Sequence, residues 1–246
     1  VLQRARAVGI SGLLVAGVEP KGWAHQRALA SQFDGVHWTA GLHPVYVAGC
    51  TAQQLNLDIE HLRDTLTMAP GPCGLGEMGL DRRFASPESL PRQIEAFRTQ
   101  LSLAREIDRP VVLHVVAAHG QVLQILRADG VPPSGGVVHS FSGAAGLAEQ
   151  YLALGLHLGL STAICRGRNK KIDGSIRRIP WNRIMVETDA PDQGVVPGSR
   201  NEPSELVRVA TYIAQIRGCT SHEVLAASTT NFLTLFGVAK NGPVKE

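Results

Sequence analysis

The chain is short of aromatic residues, of paired cysteines, of lysine and of long apolar runs, and each shortage removes a class of protein. Aromatics make up only 5% of the 246 residues, so a core must come from the aliphatic residues that bring the hydrophobic share to 44%. The four cysteines (Cys50, Cys73, Cys165, Cys219) lie far apart and form no C-x-x-C pair. That excludes a zinc ribbon or a dithiol redox motif and leaves free thiols as the expectation. No stretch approaches the ~20 consecutive apolar residues of a membrane span, and no basic-then-apolar segment precedes the first periodic element. A soluble, cytoplasmic chain with no membrane partner is expected, with a monomer as the default. Lysine is scarce, at Lys21, Lys170, Lys171, Lys240 and Lys245, and none falls in a strand-like run. The net charge of +3 and pI near 8.8 are compatible with an anionic substrate but do not by themselves indicate nucleic acid.

What is present is alternation. Short runs of Val, Ile and Leu at 12–18, 36–42, 72–77, 110–115, 135–141, 155–161 and 183–189 read as buried strands. Segments of helical spacing separate them, clearest at 89–108 and also at 117–128, 144–154 and 203–217. A last helix is expected over 221–236, with Thr220 or Ser221 as N-cap and Gly237 just past its end. Strands alternating with helices predict an α/β fold with a parallel sheet, and the length suits one (β/α)8 TIM-type barrel of ~250 residues. No linker or repeat divides the chain, so residues 1–246 are expected to be a single barrel domain. Seven strands are legible where a closed barrel has eight. The opening residues 1–8 followed by Gly9 look like a helix end, so the first strand is expected upstream of Val1. About 20 residues would hold that strand, a loop and half a helix. A seven-stranded distorted barrel is the alternative.

Four of these runs end in a side chain able to hold a metal: Glu77, His114, His139 and Asp189. Active sites of α/β barrels lie at the C-terminal ends of the strands, so four ligand-type residues at four such ends predict a metal site. Glu77 sits among glycines in Gly74-Leu-Gly-Glu-Met-Gly-Leu-Asp81, where a carboxylate can approach metal closely. His114 and His139 each close an apolar run and offer neutral imidazole nitrogen. Strand alternation puts Glu187 and Asp189 on one face, a paired-carboxylate end suited to binding metal and to accepting a proton from water. His43, ending the run at Gly41-Leu-His-Pro44, is placed on the substrate rather than the metal. The basic stretch 166–171 reads as a solvated loop on the active face.

These segments together resemble the TatD family of metal-dependent deoxyribonucleases, within the amidohydrolase-like barrels. The resemblance runs nearly end to end. It is carried by Gly41-Leu-His-Pro44, Gly76-Glu-Met-Gly-Leu-Asp81, the Gln93/Phe97/Gln100 helix, Pro110-Val-Val-Leu-His114, His139-Ser-Phe-Ser-Gly143, Glu187-Thr-Asp-Ala-Pro191, Arg200-Asn-Glu-Pro203 and Asn231 through Gly237. It implies a two-metal (β/α)8 barrel in which Glu77 bridges the ions, His114 and His139 bind one, and Asp189 binds the other. It also implies that Asp189 and Glu77 are catalytic, and that His43, Arg200 and Asn201 contact a DNA or nucleotide phosphodiester. Two departures stand out. The family's first strand ends in a His-x-His that has no counterpart here, and the polar His-x-Arg-x-Ala that usually follows the strand histidine is replaced by His114-Val-Val-Ala-Ala-His119.

The expected reaction is hydrolysis of a phosphodiester by metal-activated water, as in a DNase or 3'-exonuclease, with two divalent ions (Zn, Mn, Mg or Ni) as cofactors. The alternatives are another amidohydrolase-like activity on a lactone, cyclic amide or phosphotriester, and a non-catalytic barrel kept for binding. The scarcity of lysine weighs against the first, since many such sites bridge their ions with a modified lysine. The intact four-ligand set weighs against the second.

Overall fold

The fold is described from a computed structural model that covers residues 1–167 and 169–238; Arg168, within the basic stretch noted above, lies outside the described residues. The strands are β1 (Leu13–Val15), β2 (Val36–Ala40), β3 (Gly74–Asp81), β4 (Val111–Val116), β5 (Gly136–Val138), β6 (His157–Leu160) and β7 (Ile184–Val186). Each of the seven overlaps a run read from the sequence. The helices are α1 (Leu2–Ala7), α2 (Pro20–Gln32), α3 (Pro44–Gly49), α4 (Ala52–Thr67), α5 (Ser89–Glu106), α6 (His119–Asp129), α7 (Ala145–Leu152), α8 (Lys170–Arg178), α9 (Leu206–Arg217) and α10 (Ser221–Phe236). The class is α/β of the TIM-barrel type. No helix among the described residues is long and apolar enough to cross a membrane.

Among the described residues, 12–136 form one compact unit and 1–11 with 137–238 form the other. In the first, β1 to β4 pair in parallel and in chain order. β3 is buried throughout and β4 is buried at four of its six positions, which is why β4 reads Val-Val-Leu-His-Val-Val rather than alternating with polar residues. The β3/β4 register passes from Leu75↔Val111 to Met78↔Leu113, so β3 carries one extra residue, a bulge around Gly76 and Glu77. In the second unit β5, β6 and β7 pair in parallel, with Val137↔His157 and Gly159↔Met185 in register.

The helices follow from burial and caps. α5 turns Gln93, Ala96, Phe97, Gln100, Leu101 and Ala104 inward, a stripe at helical spacing. α10 begins in a capping box, where Thr220 accepts from the Glu223 backbone and Glu223 reaches back to Thr220, and ends at Gly237 in the left-handed region. Both ends match the sequence reading.

Two expectations need correcting. β3 does not end at Glu77 but runs on to Asp81, because the bulge lets the strand resume pairing with Gly79 opposite His114. Nor is 166–171 wholly a loop. Asn169 accepts from the Lys171 backbone as an N-cap, and Lys170 and Lys171 open α8, whose buried Ile172 and Ile176 supply the apolar spacing that a reading focused on charge passes over.

Candidate metal centres

In the first unit, glycines bring the backbone of three strands close around Glu77. A Cβ at Gly41 would lie 2.6 Å from the Gly76 carbonyl carbon, and one at Gly17 would lie 2.5 Å from the Thr39 oxygen, so neither position admits a side chain. The Gly17 carbonyl accepts from the Glu77 N–H at 2.6 Å, and Thr39 donates its hydroxyl to the Gly76 oxygen at 2.7 Å. Glu77 is held from both sides and its carboxylate is buried. Glu77 Oε2 lies 3.5 Å from His43 Nε2 and 3.5 Å from His114 Nδ1. One donor atom from each of His43, Glu77 and His114 falls within 4.8 Å of the others, a spacing one ion could occupy.

His43 is the N-cap of α3, with Pro44 in the first helical position, and its Nδ1 accepts from the Val45 N–H at 3.1 Å. An imidazole that accepts at Nδ1 carries its hydrogen on Nε2 when neutral, so His43 presents a donor towards Glu77. His114, from β4, places its ring 4.2 Å from that of His43, edge to face, and its Nε2 lies 3.0 Å from Asp81 Oδ2.

Asp81 was missed as a site residue. Its side chain is fully buried at the end of β3, and its Oδ1 accepts from the Arg83 backbone and Nε while Oδ2 accepts from the Arg83 guanidinium. Burial alone would raise its pKa, but the hydrogen bonds from Arg83 and His114 outweigh it and bring the carboxyl down to about 2. α5 fixes this region by two glutamines one heptad apart. Gln93 accepts from the Asp81 N–H at 2.9 Å, and Gln100 accepts from the Leu42 N–H at 2.8 Å beside His43. The sequence signal was available, since Glu77, Gly79 and Asp81 alternate along one strand.

In the second unit, His139 follows β5 directly and stands between two carboxylates that follow β7. Its Nδ1 is 2.9 Å from Glu187 Oε1 and its Nε2 is 3.1 Å from Asp189 Oδ1. Ser140, Asp189 and Gln193 all have positive φ, at 48°, 62° and 53°, an uncommon conformation for non-glycine residues that gathers at functional sites. Glu187 Oε1 also accepts from the Ser140 N–H. Gln193 donates its amide to Asp189 Oδ2, while the hydroxyls of Ser140 and Ser161 donate to the Gln193 oxygen at 2.9 and 2.8 Å, fixing which way that amide faces. No sequence signal distinguished Gln193, because the serines that fix its amide lie 32 and 53 residues away.

Of the other two residues expected on substrate besides His43, Arg200 is exposed and Asn201 is buried. The Asn201 amide donates to Thr162 Oγ1 and to the Thr188 and Asp192 oxygens, and its N–H reaches the Pro191 oxygen. Those bonds tie down the loop that carries Asp189. The donor sets of both units, imidazole nitrogen with carboxylate oxygen at close range, fit a divalent transition ion.

Comparison with known proteins agrees with this chemistry. The model of the family described as TatD related DNase matches residues 1–237. The chain is 35% identical over 246 residues to the 3'-5' ssDNA/RNA exonuclease TatD of Erwinia amylovora, covering 97% of this chain and 93% of that one. It is 32% identical over 240 residues to the uncharacterized metal-dependent hydrolase YcfH of Escherichia coli K12, covering 97% and 88%. Among solved structures it matches the TatD homologue YjjV of Escherichia coli K12 with a TM-score of 0.88 and 30% identity, covering 97% and 91%.

Proposed function

The chain belongs to the TatD-related DNase family of metal-dependent hydrolases, and on that premise we propose that it hydrolyses phosphodiester bonds of nucleic acid, acting as a 3'-exonuclease. The observation that carries the reading is that each unit sets a strand-borne histidine against carboxylate oxygen: His114 with Glu77, and His139 with Asp189. Two divalent ions per chain, held among Glu77, His114, His139 and Asp189, are the proposed cofactor content.

When bound, such ions lower the pKa of water and neutralise charge on a phosphoryl group. The residues of the chain do the rest. Glu77 is pinned through its backbone to Gly17, so its carboxylate approaches with little freedom left to lose. Asp189 carries Gln193 on Oδ2 and keeps Oδ1 towards His139, and Oδ1 is the atom proposed to take the proton of the attacking water. His43 offers Nε2–H as a donor to a phosphate oxygen, and exposed Arg200 offers a guanidinium to the phosphate backbone. Asn201 is proposed to serve the substrate only indirectly, through the Asp189 loop.

The test is release of nucleotides from 3'-labelled single-stranded DNA by the metal-loaded chain, compared with Glu77→Gln and Asp189→Asn. The proposal expects activity in the parent and a fall of more than about a hundredfold in each variant, beyond what loss of a supporting partner alone produces. A metal-loaded parent that leaves DNA and RNA intact would refute the substrate class.

A further inference from the structure

The strand that carries Glu77 does not end at the metal centre. β3 runs on to Asp81 and passes directly into one 3-10 turn, Arg82–Phe84, all three of whose residues are exposed. Phe84 is 50% exposed, in a chain where aromatics make up only 5% of residues. We propose that Phe84 is a stacking platform for a nucleobase of the substrate strand, and that Arg82 holds a phosphate beside it. This rests on the nucleic-acid reading above and deepens it by naming what holds the strand next to the metal centre.

Single exposed apolar residues are ordinary, but Phe84 differs in how firmly it is held. Asp81 caps the turn, its Oδ1 accepting from the Arg83 N–H at 2.9 Å. Ser89, which opens α5, donates its hydroxyl to the Phe84 oxygen at 3.2 Å and accepts from the Ser86 N–H at 2.7 Å. The backbone on both sides of Phe84 is thus tied down, as a platform requires. Arg83 then supports the ring itself. Both oxygens of Asp81 fix its guanidinium, which lies over the Phe84 ring 5.6 Å from the ring centre. A half-exposed ring backed on one side by a guanidinium offers its other face to a flat group. Nucleobases stack on such a face whatever the sequence, because each has a π-face of its own.

Charge at the turn favours the same ligand. Arg83 is matched by Asp81, whereas no carboxylate pairs with Arg82 among the described residues. The Arg82 guanidinium reaches only towards the neutral amide oxygen of Gln121 in α6, at 3.5 Å. An aromatic face beside an uncompensated guanidinium fits a base together with its phosphate, while an apolar peptide would leave that charge unmatched. Position agrees with this. Three residues of a 3-10 turn span about 6 Å, and Asp81 at its start lies 3.0 Å from His114. A base on Phe84 therefore belongs to a nucleotide neighbouring the one whose phosphate meets the metal centre.

The test compares two labelled single DNA strands of equal length, one with its bases and one abasic throughout, binding to the full chain by fluorescence anisotropy. Binding is read directly after mixing, with zinc present and with metal chelated. The expected result is tighter binding of the strand with bases. Phe84→Ala should weaken that strand about 5–100-fold and leave the abasic strand within about twofold. Phe84→Trp should keep the affinity, and its added fluorescence should be quenched by the strand with bases alone, with Trp23, Trp38 and Trp181 of the parent as the baseline. Arg82→Gln should weaken both strands alike and lower the salt dependence by about one phosphate contact. A Phe84→Ala chain that binds the strand with bases as the parent does, or that loses both strands equally, would overturn the platform while the nucleic-acid reading stands. An unchanged salt slope in Arg82→Gln would overturn the phosphate contact. A parent that binds neither strand and releases no nucleotides would refute the nucleic-acid reading and the platform together.

Discussion

Glu187 occupies the space in which a side chain at position 159 would begin: a Cβ on Gly159 would lie 2.5 Å from Glu187 Oε2 and 2.8 Å from its carboxyl carbon. Gly159 lies in β6, opposite Met185 of β7. Gly159→Ala should push Glu187 off His139. We expect a stability loss of about 1–3 kcal/mol from the overpacking, and a fall in metal affinity of roughly tenfold or more. Thermal unfolding with a zinc titration checks both. Unchanged zinc affinity in a folded variant would show that Glu187 does not support His139.

Removing metal should abolish hydrolysis without unfolding the chain. Dialysis against a chelator is expected to leave the circular dichroism spectrum intact, since the strands and helices are held by apolar packing such as Phe97, Leu101, Val111 and Leu113. Activity should return with added Mn2+ or Zn2+. Hydrolysis that persists after exhaustive chelation would count against the account.

Asp81 gives a signed pH prediction. Its folded pKa of about 2 lies below the ordinary value of 3.8, so the folded state binds this proton less readily than the unfolded state. The stabilisation is present above the ordinary value and is lost as pH falls from about 4 towards 2. The difference in unfolding free energy between parent and Asp81→Asn should therefore be flat from pH 7 to about 4 and shrink below it. A difference that does not change with pH in that lower window would contradict the ionised, Arg83-bound Asp81.

Gln100 is expected to act on His43 from a distance. It is buried in α5 and bonds both the N–H and the oxygen of Leu42. Gln100→Leu leaves two buried backbone groups without their partner, at a cost of about 1–3 kcal/mol each. The next residue, His43, should lose its fixed position, so KM should rise more than kcat falls. Thr220→Ala, which removes only the α10 cap, should cost about 1 kcal/mol with kinetics unchanged, and serves as the control.

Strand positions, α5 and α10 were legible because their signals are local. Apolar runs mark β1 to β7, a helical stripe marks α5, and Thr220, Glu223 and Gly237 bracket α10. The supporting residues were not legible. Gln193 is defined by Ser140 and Ser161, which come from other strand ends, and the acceptors that hold Asn201 are spread from Thr162 to Asp192. The bulge at Gly76 and Glu77 was hidden for the same reason, since only pairing with Val111 and Leu113 reveals it. α8 was missed because its charged first turn masked the apolar spacing behind it.

The central claim is that the chain holds divalent ions through Glu77, His114, His139 and Asp189. Native mass spectrometry of the zinc-loaded chain, with His114→Ala and His139→Ala beside it, tests this most directly. The account predicts two ions on the parent and one on each variant. Parent chains that carry no ion, or variants that both retain two, would contradict it.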